Sequence, residues 1–278
     1  MALPTLPLQQ YPNTASAAAD AVEGNLFATM PPLNQAVFLG AAALIMGLGT
    51  IYFLAKSTEV RGNPEAQEYY FVTTLISGTA FAAYMAMFLG FGDTALSVPY
   101  AEEPLRIYWA RYADWLFTTP LLLIDLSLLA GYELTDPPVA AAVSADGIMI
   151  VAGIVGAFTP VFAFRMVWWT ISTIAMLFVF YLLWRALTAG AMRFDDESRQ
   201  STFITLRNWT ILLWAAYPVV WLVGTEGVGA VPLSAETAAY AVLDVLAKVG
   251  FGFILLRSRA VLGAEEAPSP SSEPATAD

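Results

Sequence analysis

Neither cysteine nor histidine occurs anywhere in the 278 residues. Disulfides, thiol catalysis, haem or zinc ligation by histidine and Ser-His-Asp chemistry are therefore excluded. Charge is scarce as well: Asp, Glu, Lys and Arg make up 13% of the chain, against about 25% in soluble domains. Cations are the scarcer sign, 12 against 23 acids. The resulting net charge of -11 argues against nucleic acid as a partner and suits a surface that stays solvated, as at high salt. The sequence contains no Walker-type nucleotide loop. It shows no solenoid repeat and no inverted-half symmetry of the transporter kind.

What the chain has is hydrophobic length. Hydrophobic residues form 58% of it, above the soluble average of about 45–50%. They gather in runs such as 34–54, 73–91 and 204–224, each near the roughly 20 residues that cross a bilayer. Turn and charge signals divide the chain into seven spans at about 34–56, 68–92, 106–129, 138–158, 161–187, 202–224 and 236–258. Spans this long are helices, since barrel strands need only about 9–11 alternating residues. The predicted fold is an all-α bundle of seven transmembrane helices over 31–260, multi-pass in the cell membrane. Residues 1–30, rich in Ala, Pro and Thr and without Lys or Arg, read as a flexible leader that lacks the positive start of a signal peptide. Residues 261–278 read as a disordered acidic tail.

Seven spans put the ends on opposite sides, and the cations choose the orientation. Lys56, Arg61, Arg185, Arg193, Arg199, Arg207, Arg257 and Arg259 fall on one side, Arg106 and Arg165 on the other. That predicts an extracellular N-terminus and a cytoplasmic C-terminus. The third connection fits less well, carrying Glu133 and Asp136 with no cation.

Ionisable residues within spans are costly and point to function. Arg111, Asp114, Asp125, Asp146, Asp244 and Lys248 are such residues. Asp244 and Lys248 are four apart and share a helix face. A lysine converted to a Schiff base keeps a cation that a nearby carboxylate stabilises, so Lys248 is a chromophore candidate; a plain salt bridge is the alternative. Arg111, Asp114, Thr118 and Asp125 fall on one stripe of the third span. Asp114 and Asp125 are then roughly 16 Å apart along the axis, one on each side of a site halfway down Lys248's helix. Asp114, near Arg111, is placed to accept a proton, and Asp125, among leucines, to store and resupply one. Thr73 is a candidate partner for Asp125, and Asp146 is equally readable as a structural pairing.

Aromatic residues supply a chromophore box: Trp115, Trp168, Trp169, Trp214, Tyr217 and Trp221, with Tyr84 and Tyr112 nearer the carboxylates. Tryptophans at such spacing also build cores and interfacial belts. Met149 and Gly153 on the fourth span abut and make room for a ring.

The stretches Arg111-Tyr-Ala-Asp-Trp-Leu-Phe-Thr-Thr-Pro-Leu-Leu-Leu-Ile-Asp125 and Leu243-Asp-Val-Leu-Ala-Lys-Val-Gly250 resemble the signatures of the microbial rhodopsins of archaeal type. Ala145-Asp-Gly-Ile-Met-Ile150, Trp214-Ala-Ala-Tyr-Pro-Val-Val-Trp221 and Arg257-Ser-Arg259 extend the resemblance, which runs from about residue 47 to 268. It implies all-trans retinal bound covalently to Lys248, Asp114 and Asp244 as counterions with Arg111, Asp114 as proton acceptor and Asp125 as cytoplasmic donor. It also implies proton release through Glu226 and Glu236 in the last outer loop. Thr119, Asp146, Ser172 and Met176 join the candidate cofactor-binding set. The partners implied are the lipid bilayer, retinal and protons, with a homotrimer and a carotenoid by the same resemblance.

The triplet Asp114, Thr118 and Asp125 is of proton-pump type, since halide pumps of the family lack the first carboxylate and sensory members usually lack the last. The implied function is light-driven outward proton pumping, by a transporter and not an enzyme. The alternative is a sensory photoreceptor of the same fold signalling through a membrane partner. Ser77, where the family member most resembled carries proline, and Leu246, which replaces a smaller polar residue, are departures expected to affect rate and colour.

Overall fold

The computed structural model describes residues 29–258 and 261. Most of the expected leader (1–28), most of the expected tail (262–278) and Arg259 lie outside the described residues. Among the described residues, seven helices are long and apolar enough to cross a membrane: α1 (Leu33–Ser57), α2 (Pro64–Phe88), α3 (Trp109–Leu129), α4 (Pro137–Phe158), α5 (Phe162–Ala191), α6 (Glu197–Val223) and α7 (Leu233–Leu256). The chain is a multi-pass membrane protein. Its helices keep their backbone hydrogen bonds within the segment, as hydrocarbon demands, and turn large apolar side chains such as Leu44, Ile51, Phe117, Ile174 and Leu212 outward.

Local chemistry sets the helix starts. Asn63 accepts a hydrogen bond from the Ala66 amide at 3.1 Å, and Pro64 fills the first helical position, where an N–H has no partner anyway. Asp196 caps α6 through the Ser198 and Arg199 amides at 2.8 and 3.2 Å. That cap is why α6 begins five residues before the predicted 202, and α2 likewise begins four before the predicted 68. α2 stops at Phe88, where Gly90 takes a left-handed turn with φ 78°.

The connection from α2 to α3 corrects the predicted boundary at 106. Thr94–Leu96 (β1) and Leu105–Ile107 (β2) pair antiparallel, with Ala95 opposite Arg106. Arg106 bonds Asp93 at 3.0 Å beside the hairpin. Burial pushes the Asp93 carboxyl up, and the Arg106 charge opposes the shift. Arg106 is thus a hairpin residue, and α3 begins three residues later at Trp109.

The helices pack in sequence order and α7 closes the ring against α1. α3 and α7 are the most enclosed, so their polar side chains face one another inside the bundle. Two π-helical segments interrupt the regular turns, Leu183–Leu187 in α5 and Leu246–Gly250 in α7, the second containing Lys248. Such wide turns recur at functional positions.

Two arginines fasten the ends. At the hairpin end, buried Arg165 donates to the carbonyls of Ala157, Thr159 and Glu226 at 2.9–3.0 Å. At the opposite end, Arg199 donates to the carbonyls of Leu128 and Leu129, each at 2.8 Å, and lies 4.0 Å over the Phe194 ring. Those carbonyls end α3, where the helix dipole favours a cation. Glu65 of α2 approaches the same guanidinium at 3.8 Å.

Candidate retinal site and proton path

Lys248 stands at the centre, 2% exposed. Its Nζ lies 2.5 Å from Asp114 Oδ2 and 3.0 Å from Asp244 Oδ1. A charge withdrawn from water is tolerable only with such partners. The two carboxylates are held differently. Asp244 accepts three further bonds, from Tyr84 Oη at 2.6 Å, Tyr217 Oη at 2.7 Å and Trp115 Nε1 at 3.0 Å. Asp114 receives only the lysine, and its Oδ1 is buried with no hydrogen-bond partner among the described residues. Thr118 donates to the Asp114 backbone carbonyl at 2.9 Å.

From Lys248 a cavity runs between α3, α4, α5 and α6. Trp115, Trp169, Trp214, Tyr217 and Trp221 form its walls, with Met149 and Gly153 on one side and Thr119, Ser172 and Met176 further along. A Cβ on Gly153 would stand at ordinary contact distance, 3.6 Å, from the Tyr112 ring and would fill part of this space. Ser172 Oγ donates to the Met149 carbonyl at 2.8 Å and Trp169 Nε1 to the Pro218 carbonyl at 3.0 Å, so α5 is pinned to both neighbours.

Three predicted residues lie away from the lining. Trp168 packs against Gly156 instead. Tyr84 stands behind Asp244, and Asp146 stands behind Thr119, whose hydroxyl donates to it at 2.9 Å. Tyr112, expected near the counterions Asp114 and Asp244, lines the cavity and directs its hydroxyl to Glu226.

The stripe on α3 continues both ways. Toward the hairpin end, Arg111 lies 3.7 Å from Glu236 Oε1, with its guanidinium 4.2 Å over the Tyr240 ring. Glu236 stands in the first turn of α7 and not in the preceding loop. Its Oε2 accepts from the Thr225 amide and hydroxyl at 2.7 and 2.8 Å. Glu226, in the connection between α6 and α7, accepts from Tyr112 Oη, which itself accepts from Trp221 Nε1 at 2.9 Å. Burial pushes the Glu226 carboxyl up to about 7, with the Glu236 charge adding and Arg111 opposing. Toward the other end, Asp125 is fully enclosed, and Thr73 Oγ1 stands 3.5 Å from its Oδ2.

The composition-based reading missed Tyr240 and Arg165. Tyr240 was recoverable from its spacing, four residues before Asp244 and eight before Lys248 on one helix. Arg165 carried no such signal, because its partners are backbone carbonyls from three places in the chain.

Residues 34–262 match the family of bacteriorhodopsin-like proteins. Bacteriorhodopsin of Halobacterium salinarum is 52% identical over 252 residues, covering 91% of this chain and 94% of the relative. The chain belongs to the bacteriorhodopsin-like family. A second relative is archaerhodopsin-2 of Halobacterium sp. (strain aus-2), 50% identical over 86% of this chain and 90% of its own. Among solved structures, the light-driven proton pump rhodopsin of Coccomyxa subellipsoidea matches with a TM-score of 0.75 and 31% identity, over 81% of this chain and 96% of that one. In this bacteriorhodopsin-like chain the α2–α3 hairpin, the aromatic cavity and the buried Lys248 all lie within the matched residues.

Proposed function

We propose that this chain is a light-driven proton pump, a transporter and not an enzyme, with retinal held covalently on Lys248 and net movement from cytoplasm to exterior. The observation that carries the reading is a lone lysine buried between two carboxylates at the end of an apolar, aromatic cavity. The residues fit the group: the walls are tryptophan and methionine, as apolar small-molecule sites require, and among the described residues lining it the cationic nitrogen is Lys248 Nζ. Bound there, retinal supplies a light-triggered change of shape that alters proton affinity at that nitrogen.

The chain's own groups then set the direction. Asp244, holding four donors, stays as the fixed negative partner of Lys248. Asp114, with one oxygen free, takes the proton from Lys248 Nζ on its Oδ atoms, 2.5 Å away. A charge arriving on Lys248's other flank has to come from Asp125, the remaining enclosed acid on the α3 stripe, whose proton Thr73 helps to hold. Arg111, Glu236, Glu226 and Tyr112 form the exit, where a proton leaves Glu226. Moving each charge across the membrane costs about 2.3 kcal/mol per 100 mV, which the absorbed light supplies.

The test is expression with retinal in cells or vesicles. A visible band and a light-induced, protonophore-sensitive acidification of the medium are expected, and Lys248→Ala is expected to lose both. A band without acidification would favour a sensory photoreceptor, and a band that survives Lys248→Ala would remove the lysine from its role.

A further inference from the structure

Lys248 sits in the middle of the π-helical segment Leu246–Gly250. In a wide turn of this kind a carbonyl bonds the amide five residues on, and here the Phe251 amide donates to the Leu246 carbonyl. The same oxygen accepts a second donor from outside the helix: Trp209 Nε1 of α6, at 3.0 Å. The indole also lies along the α7 backbone two residues past the lysine, where a Cβ on Gly250 would stand 3.5 Å from Trp209 Cζ2. The ring thus packs along the α7 backbone at ordinary contact distance and brings its N–H to the carbonyl that closes the turn.

We propose that Trp209 is a positioning residue for Lys248: its indole N–H, by sharing the Leu246 carbonyl with Phe251, fixes the wide turn from which the lysine reaches Asp114 and Asp244. The inference rests on the reading of Lys248 as the retinal-bearing residue. The physical argument is one of register. A π turn is rare against the regular helix, and a carbonyl with both lone pairs engaged resists tilting back into the narrower four-residue pattern. If the turn narrowed, every side chain after it would rotate relative to α3, and Nζ would leave its 2.5 and 3.0 Å contacts. Trp209 lies on the seam between α6 and α7, outside the cavity lining, so it acts only through the backbone of α7.

Two substitutions separate the donor from the ring. Trp209→Phe keeps an apolar ring and loses the N–H. Trp209→His keeps a five-membered ring with an N–H two bonds beyond Cγ, the position of Nε1 in indole, and loses the six-membered ring; at pH 8 its imidazole is neutral. Full-length pigments are reconstituted with retinal, and the visible maximum, the rate of dark bleaching by hydroxylamine and the melting temperature are measured. Trp209→Phe is expected to move the maximum and to bleach roughly two- to tenfold faster, the range that one hydrogen bond sets. Trp209→His is expected to hold both at the parent values, even where its melting temperature falls. The proposal is overturned if Trp209→Phe leaves maximum and bleaching unchanged, or if Trp209→His alters both as much as Trp209→Phe does. Pigment from Trp209→His but none from Trp209→Phe would support it, and pigment from neither would assign the effect to ring volume and overturn it. Failure of the parent chain to form pigment would instead defeat the Lys248 reading itself.

Discussion

The guanidinium of Arg111 lies 3.7 Å from the Glu236 carboxylate, a residue on α7 that the chain reaches only 125 positions later. Its charge is thereby paired with α7 at the hairpin end, although Asp114 is only three residues away on the same helix. In the proposed cycle, neutralising Asp114 changes the field at Arg111, and Glu236 and Glu226 feel it. Arg111→Gln is expected to delay the appearance of protons at the outer surface by about tenfold or more while visible absorption persists. A pH-indicating dye in the medium, followed after a flash, reads this directly.

Glu226 provides a pH test. Its carboxyl is pushed up to about 7 from the usual 4.5, first by burial and then by Glu236. The folded protein therefore holds this proton more tightly than the unfolded chain does. Below about 4.5 both states are protonated and the group is neutral in effect; as pH rises toward about 7, folding stability is lost, and the loss is complete above it. The melting temperature of Glu226→Gln minus that of the parent should rise across this window and then level off. A constant difference would show that Glu226 does not titrate there.

Asp114→Asn removes the single carboxylate oxygen left without a donor next to Lys248. The pigment is expected to form, shift to the red as the cation loses one counter-charge, and transport protons at roughly a hundredth of the parent rate or less, in keeping with loss of an acid–base group. Spectra and light-induced pH changes on the same vesicles check both parts.

Asp125→Asn leaves Thr73 facing an amide. Absorption should be unchanged, while recovery of the photocycle slows about a hundredfold. Azide, a small weak acid able to carry protons to the lysine, is expected to restore the rate. Flash spectroscopy with and without azide decides the matter.

Much of this was legible in the sequence for physical reasons. Hydrocarbon admits few alternatives to a helix, so seven apolar runs gave seven spans. Charges inside those runs have to meet, so Lys248, Asp244 and Asp114 stand out from residue type and spacing alone. Boundaries were less legible. Leu105, Arg106 and Ile107 read as the start of a helix, yet the pairing with Thr94–Leu96 and the Asp93 bond make them a strand. Partners outside the periodic pattern were also hidden: Arg165 and Arg199 bind carbonyls, and a carbonyl leaves no mark on residue type. The same holds for Trp209, whose indole meets a backbone oxygen freed for it by a wide turn.

Arg199 has a consequence for the dark. The carbonyls it grips belong to the residues three and four beyond Asp125, so the guanidinium, the Phe194 ring and Glu65 form a stopper one turn above that acid. A pump is useful only if its membrane remains insulating between strokes, because any standing conduit would short-circuit the voltage it builds. In the proposed pump, this stopper over the fully enclosed Asp125 is expected to keep the membrane insulating between strokes, so that charge stored by day is not drained by night.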